Sequence, residues 1–490
     1  MSKKNLIFST ILLLAIVSVC FFSTSSVNTN NVVENRQNDN NVEILSNPKS
    51  SGYAVSQKWN VTTADIVTSV AISADGKYMV FGTADYGDYQ LCLKKISNNQ
   101  TIWTYNFGEE ISSVAISADG SYIVAGGVNP GSVGLLLFNN SIPTGAKEPI
   151  WTFDTGGNDC YMVDISADGK YIVAGTENQG VLLFNNSIPV GAKYPHWQKQ
   201  MPVIEDPHDV AISADGEYIV AGTRGLGPHL VMFFNNSYHS GTDKLPEWTY
   251  SIGVNVNTVA ISKYGDYIVA GSSQQDPGNE LFVFNKSADD GNPEWSYDYG
   301  TGTLIQSVAI SADGEYIATG CEGPTPTAGV VGLFSNSKSQ NLWKSSTGGE
   351  VNTVDITADG KYIVAGTNYQ LVNGRFNESI LLYNQSANPT GNALPEWAFN
   401  TSDDVDSVSI SSWGNYIGAG QDLGLDGRAF LFYHARPIPP IISGNGGGDD
   451  DDDDDEEGAI PFGNHYLLFA AIAIASLVII TKRKAVFSKK

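Results

Sequence analysis

Acids dominate the residues of this chain that are able to do chemistry. Asp and Glu number 52 against 27 Lys and Arg, a formal net charge of -25 at neutral pH. Asp85, Asp88, Asp154, Asp159, Asp403, Asp404 and Asp406 crowd the connections of what reads as one face of a repeat fold. Two acids flanking a glycosidic bond can cleave it, but no pair here separates itself from the general acidity. His208 and His229 fall on connections near Glu205 and Asp206, which makes them weak candidates for a metal site. Loop histidines are more often simply solvated. There is no Gly-x-Ser-x-Gly elbow, HExxH pair or P-loop. No catalytic residue, metal or cofactor is assigned from these residues. Asp75, Asp119, Asp168, Asp215, Asp313 and Asp359 each precede a glycine and recur too evenly to mark one active site. They read as turn residues.

Two further residue types carry possible chemistry. Asn60, Asn99, Asn139, Asn185, Asn235, Asn285, Asn377, Asn384 and Asn400 each begin an Asn-x-Ser/Thr tripeptide, the acceptor for N-glycans in a secreted chain. The competing account is that Asn-Asn-Ser makes a good turn. Cys92, Cys160 and Cys321 fall in different repeats with no CxxC spacing, so they read as small buried apolar residues. Cys20 lies in the N-terminal apolar run and is expected to be removed with it.

The element that must position these groups is a repeat. The stretch from Val114 to Gly126, Val-Ala-Ile-Ser-Ala-Asp-Gly-Ser-Tyr-Ile-Val-Ala-Gly, recurs with small changes eight times. Its turn glycines are Gly76, Gly120, Gly169, Gly216, Gly265, Gly314, Gly360 and Gly414. This spacing is close to that of four-stranded propeller blades. Val-Ala-Ile reads as one strand, Ser-Ala-Asp-Gly as a tight turn and Tyr-Ile-Val-Ala-Gly as a second strand. A third strand follows that is apolar on both faces, such as Leu135-Leu-Leu-Phe138. A fourth carries a tryptophan: Trp59, Trp103, Trp151, Trp197, Trp248, Trp295, Trp343 or Trp397. No stretch of the body has helical periodicity. The body starts with a lone Trp strand and ends with three strands, so the first strand is expected to complete the last sheet and remove two exposed edges. The expected fold is all-β: an eight-bladed propeller of four-stranded antiparallel blades, followed by one C-terminal transmembrane helix.

The body, residues 56–433, resembles the WD-repeat-like and YVTN/PQQ-like β-propellers of secreted microbial, especially archaeal, surface proteins. Thr144-Gly-Ala-Lys147 before Trp151, echoed before Trp197 and Trp397, is similar to the tryptophan-docking motif of quinoprotein propellers. No Trp-Asp dipeptide and no adjacent cysteine pair is present. The first sets the chain apart from standard intracellular WD-repeat scaffolds. The second sets it apart from many quinone-dependent alcohol dehydrogenases. The resemblance implies a fold and little about activity.

The ends imply an address. Residues 1–26 have Lys3 and Lys4 before an apolar run, the layout of a signal peptide. Residues 27–55 form an Asn- and Ser-rich spacer. The propeller is expected over 56–434, and 435–464 is a stalk rich in Pro, Gly and Asp. Residues 465–481 are apolar and are followed by the basic tail 482–490, which predicts a single membrane span with its C-terminus in the cytoplasm. The excess of acid argues against nucleic acid as a partner. One face of the propeller is expected to be monotonous, carrying the Ser-Ala-Asp-Gly turns and the Asn-x-Ser turns. The other carries connections that differ in every repeat: 84–90, 128–133, 200–209, 223–229, 272–279, 322–329, 367–378 and 421–428. A rigid scaffold with variable loops is a common way to build a binding site. The functional expectation is a membrane-anchored, non-catalytic binding or adhesion module whose variable face meets an extracellular protein or glycan. The alternatives are an extracellular polysaccharide lyase or hydrolase, a quinone-dependent dehydrogenase, or a structural surface-layer component.

Overall fold

The computed structural model describes residues 54–435, apart from segments 85–89, 129–130, 132, 142–146, 188–192, 203, 238–242, 274–277, 289–290, 338, 369–370, 373–374, 377–378, 387–392 and 423–426. Among the described residues no helix is long and apolar enough to cross a membrane. The expected leader and the expected span at 465–481 lie outside the described residues, as do almost all of the spacer and the stalk.

Eight four-stranded antiparallel sheets make up the fold, as the repeat predicts. Blade 1 comprises Ile66–Ile72, Tyr78–Ala84, Gln90–Lys95 and Gln100–Asn106, and blades 2 to 7 repeat this order. Blade 7 also has a short hairpin, Leu371–Val372 with Arg375–Phe376, between its second and third strands. The first strands of successive blades touch one another in a closed ring, so they line the central axis. Blade 8 is completed from the far end of the chain. Val55–Thr63 pairs antiparallel with Gly427–His434, from Val55 opposite His434 to Thr63 opposite Gly427. Trp59 thereby becomes the fourth-strand tryptophan of blade 8, and it is buried.

The apolar core is divided among the eight blade junctions. Leu91, Leu93 and Trp103 of blade 1 pack with Ile111, Val114 and Ile123 of blade 2. At the closing junction Trp59 and Leu431 of blade 8 pack with Val67 and Val70 of blade 1. This explains why the third strands are apolar on both faces: each is covered by a neighbouring sheet on either side. Cys92, Cys160 and Cys321 are buried and unpaired, as small apolar residues would be. Close approach between blades also fixes the glycine that ends the Tyr-Ile-Val-Ala-Gly pattern. A side chain at Gly320 would put its Cβ 2.7 Å from Val351 Cγ1 of the next blade.

The Ser-Ala-Asp-Gly turns are locked by their own side chains. In blade 4, Ser213 Oγ donates to Asp215 Oδ1 at 2.6 Å and accepts the Tyr218 N–H at 3.0 Å. Asp215 Oδ1 accepts the Glu217 N–H at 3.0 Å. Gly216 closes the turn at φ +72, and a Cβ there would lie 2.6 Å from the Tyr171 ring of the preceding blade. Successive turns are also tied to one another. Ala167 N donates to Ala214 O, Ala214 N to Lys263 O and Lys263 N to Ala312 O, each at 2.9–3.0 Å. The recurring Asp-Gly aspartates are therefore occupied in structure.

A second ring of bonds joins the first strands. The inner edge of each first strand has no further strand to pair with, so its N–H groups need another acceptor. The preceding blade supplies one from a side chain. Val114 N donates to Ser69 Oγ, Val163 N to Ser113 Oγ, Val259 N to Asp209 Oδ2 and Val308 N to Thr258 Oγ1. Val354 N donates to Ser307 Oγ, Val408 N to Thr353 Oγ1 and, across the closure, Val70 N to Ser407 Oγ. In blade 3 the equivalent residue is Met162, and Asp164 Oδ2 takes over by accepting the Ile212 N–H at 2.9 Å. Replacing Ser307 with Ala leaves the Val354 N–H without its acceptor and is expected to cost about 1–3 kcal/mol. Ser307→Thr, the residue found at this place in blades 5 and 7, should keep most of that stability. Urea denaturation of the two variants beside the parent checks both outcomes.

Candidate binding site at the variable face

The first strand of every blade contains a β-bulge at the same place. The register slips between Val67 and Ser69, Ile111 and Ser113, Cys160 and Met162, and Pro207 and Asp209. The same slip falls between Val256 and Thr258, Ile305 and Ser307, Val351 and Thr353, and Val405 and Ser407. A bulge leaves one residue unpaired and re-aims its side chain. The eight residues so placed are Thr68, Ser112, Tyr161, His208, Asn257, Gln306, Asn352 and Asp406, all with polar atoms and of seven different types. They form a ring around the axis toward the variable face.

Half of this ring performs a structural task. Thr68 Oγ1 donates to Ile111 O, Ser112 Oγ to Cys160 O, Asn257 Nδ2 to Ile305 O and Asn352 Nδ2 to Val405 O, each reaching the next blade. The other four depart from that role. Gln306 donates to Glu322 Oε2 within its own blade. Tyr161 stacks on His208, with ring centroids 5.6 Å apart and planes 7° from parallel. Arg224 Nη1 donates to His208 Nε2 at 2.7 Å, and Arg224 Nη2 donates to Asn257 Oδ1 at 2.7 Å. Burial, then the adjacent Arg224 charge, holds the His208 imidazole well below its ordinary pKa, so it is neutral and accepts at Nε2. Asp406 is buried, and its Oδ2 has no hydrogen-bond partner among the described residues.

Carboxylates surround this ring where first strands begin and second strands end. They are Glu110, Asp159, Glu177, Asp206, Glu322, Glu350, Asp403, Asp404 and Asp422, all half-buried, with Asp406 deeper. Arg224 is the one cation among the described residues at these strand ends. The acids raise one another's pKa. Glu177 is pushed up by burial and then by Asp159 and Asp206. Glu350 is pushed up by burial and then by Glu322 and Asp404. Asp406 is pushed well up by burial and then by Asp422, Asp404 and Asp403. Farther out on blade 5, burial raises the Glu280 carboxyl to about 7.

The expected site residues fall into place unevenly. Asp159 joins Glu177 and Asp206, while Asp403, Asp404 and Asp406 gather at blade 8 with Asp422. Asp154 ends the fourth strand of blade 2, and Asp85 and Asp88 lie outside the described residues. His208 does not sit on a connection, as its sequence context suggests. It lies inside the first strand of blade 4, Glu205–Ile212, at the bulge, and Arg224 occupies its Nε2. His229 precedes the third strand with a φ of 53. Among the described residues no group of three His, Cys, Asp or Glu is placed to hold a metal. The asparagines expected as glycan acceptors include a recurring Asx turn on the opposite face. Asn139, Asn185, Asn285 and Asn384 each accept the N–H of the serine two residues on at 2.9–3.0 Å. Asn235 makes the same turn and also contacts Lys244 and Glu247. Asn400 caps Ser402 N at 2.7 Å. Asn60 and Asn99 are exposed, and Asn377 lies outside the described residues.

Tyr161, Arg224, Asn257, Gln306 and Asn352 were not legible as site residues from motif spacing. The signal for the ring was present: two neighbouring residues between apolar ones, as in Asn257-Thr258 or Asp406-Ser407, break the strict alternation of a strand. Arg224 left no such trace.

Comparison with solved structures fits this architecture. The C-terminal WD40 domain of Sif2 matches with a TM-score of 0.56 and 17% identity, covering 79% of this chain and 98% of that domain. The chain folds as a WD40-type β-propeller. The β-propeller domain of Cps50 (Swd1) from Myceliophteria thermophila matches at a TM-score of 0.48 and 13% identity, over 66% of this chain and 98% of that one. No protein-family model and no curated protein matches the sequence. The WD40-type architecture forms here without a Trp-Asp dipeptide.

The raised acids give a pH dependence with a definite sign. A carboxyl with a folded pKa above its unfolded value binds more protons in the native state, so its ionisation lowers stability as pH rises through that interval. For Glu280 the interval runs from its ordinary value of 4.5 to about 7. Asp406→Asn and Glu280→Gln should each unfold at a higher temperature than the parent at about pH 8, with the difference disappearing below about pH 4. Thermal unfolding followed by circular dichroism across that range tests this.

Proposed function

We propose that this propeller is a cell-surface interaction module that binds a protein or glycan partner at its variable face. The supporting observation is the contrast between its two faces. One has nearly the same turn eight times, and its side chains are engaged in locking those turns. The other has a different residue at almost every bulge, connections of unequal length and a concentration of half-buried charge. Loops displayed on a rigid scaffold meet the physical requirement for recognition, because the frame is ordered before the partner arrives.

The cell-surface part of this reading draws on the ends of the chain. Residues 1–26 would direct export, 435–464 would act as a stalk, and 465–481 would hold the chain in the membrane with the propeller outside. The path of the last strand is compatible with that arrangement. His434 ends blade 8 against the Gly414 turn, with Nδ1 3.0 Å from Gly414 O. Under this reading the stalk would leave from the face with the repeated turns, with the variable face turned away. The half-buried asparagines of the Asx turns would then carry N-glycans on the stalk side.

Two measurements on the full-length chain test the proposal. A membrane-impermeant amine-labelling reagent added to intact cells should modify propeller lysines; labelling only after lysis overturns the surface assignment. A screen of the purified chain against protein and glycan arrays should yield a partner. Its binding should be lost when connections 200–204 and 225–229 are replaced by Gly and Ser, and retained when exposed turn-face residues such as Lys77 are changed. A partner indifferent to both variable-face replacements sinks the binding-face assignment.

A further inference from the structure

Blade 4 has the longest inner hairpin of the eight. Its inner hairpin, Glu205–Ile212 with Tyr218–Gly225, has eight residues in each strand, where the other first and second strands have six or seven. Its terminal pair, Glu205 opposite Gly225, has no counterpart in the other blades, and Asp206 opposite Arg224 comes next. Beyond them Leu226 N donates to Ile204 O at 2.7 Å, so these two residues stand side by side at the tip. Their exposures are 55% for Ile204 and 86% for Leu226. The other large exposed apolar side chains among the described residues are Tyr194, Leu245, Tyr264, Leu394 and Trp413. All five belong to turns or connections of the opposite face. Among the described residues the variable face thus has one apolar prominence.

The tip is held in place. Gly225 N donates to Asn255 Oδ1 of blade 5 at 3.2 Å, and a Cβ at Gly225 would meet Ile204 O. Thr223 Oγ1 accepts the Leu230 N–H at 2.7 Å and donates to Glu205. Immediately beside it lie three mutually repelling carboxylates, Asp159, Glu177 and Asp206. Asp206 accepts the Asn178 N–H at 3.2 Å, which ties this acid to blade 3.

A preordered apolar pair next to a cluster of mutually repelling carboxylates specifies the partner's chemistry. We infer that Ile204 and Leu226 are the apolar anchor of a docking site for a protein segment that is both basic and apolar. Its Leu-like side chain covers the tip, and its Lys or Arg side chains meet the three carboxylates. Cationic contacts relieve the repulsion among these acids, while burial of the two side chains supplies a non-directional attraction. This assignment rests on the variable face being the binding face, and it commits that face to a basic protein segment rather than a glycan.

Fluorescence anisotropy with the full-length chain and three labelled peptides of equal length tests it: alternating Lys and Leu, all Lys, and alternating Glu and Leu. The Lys/Leu peptide should bind best, more weakly as salt rises, and the Glu/Leu peptide should not bind. Ile204→Ser together with Leu226→Ser should weaken the Lys/Leu peptide about tenfold or more with little change in melting temperature, because both side chains are largely exposed. Asp206→Asn should weaken both basic peptides alike. Lys/Leu binding untouched by the Ile204/Leu226 pair overturns the anchor. Equal binding of the Glu/Leu peptide overturns the charge assignment. Binding of a neutral oligosaccharide that is lost in the Ile204/Leu226 variants overturns the inference while leaving the variable face as a binding face. Failure of all ligands at that face overturns both.

Discussion

The structure depends on satisfying the inner edges of eight sheets. A propeller blade ends at the axis with a strand that has a partner on one side only. Its outward-pointing N–H groups have little access to water, and each left unpaired in the interior costs about 1–3 kcal/mol. This chain gives at least one such group in every first strand a side-chain acceptor from the preceding blade. Ser69, Ser113, Asp209, Thr258, Ser307, Thr353 and Ser407 all do the same work. The bond runs between blades, so it sets their spacing as well as the state of the edge. That spacing then demands glycine at Gly320 and its equivalents, and it brings the tyrosine of one blade over the turn glycine of the next. The near-identity of the eight repeats follows from this shared geometry.

The exception at blade 3 shows which part of the pattern is physical necessity. Met162 cannot accept an N–H strongly, yet the junction with blade 4 is still bridged, from Asp164 two residues later. Asp355 and Ser409 make bonds of the same kind in addition to the regular one, Asp355 to Ile410 N and Ser409 to Ile72 N. Either of two places on the strand can supply the acceptor, and the chain needs at least one. The requirement is an acceptor at the junction, and the residue that provides it is free to move by one period of the strand.

That distinction also explains what was legible in the sequence. Blade number, strand order and closure by Val55–Thr63 could be read because they depend on apolar alternation, Asp-Gly turns and the odd strand count. The turn role of Asp215 was readable because a residue repeated in six blades cannot belong to a single site. The bulge was not read, although Asp406-Ser407 and its equivalents record it, because two adjacent polar residues look like a ragged strand until the pairing is known. Placing His208 on a connection failed for this reason: the bulge and the longer hairpin of blade 4 extend the strand into what reads as loop. Arg224 was beyond reach, since its partners His208 and Asn257 come from two blades and are 16 and 33 residues away.

The acidic mouth is the part of the molecule that scaffold requirements do not explain. The seven junction acceptors and the turn ring hold the blades without any help from Glu177, Asp206 or Glu350. Burial and mutual repulsion raise the pKa of all three, so their environment disfavours the charged forms. Arg224 does little to relieve them, because its hydrogen bonds go to the neutral groups His208 and Asn257. A stability-optimised propeller would place neutral side chains at these strand ends, as blade 1 does with Ile66 and Ala84. The strain lies on the same face as the variable bulge residues and the exposed Ile204 and Leu226. Charge that destabilises the free molecule while facing outward from a rigid frame is best accounted for by the binding of something that compensates it.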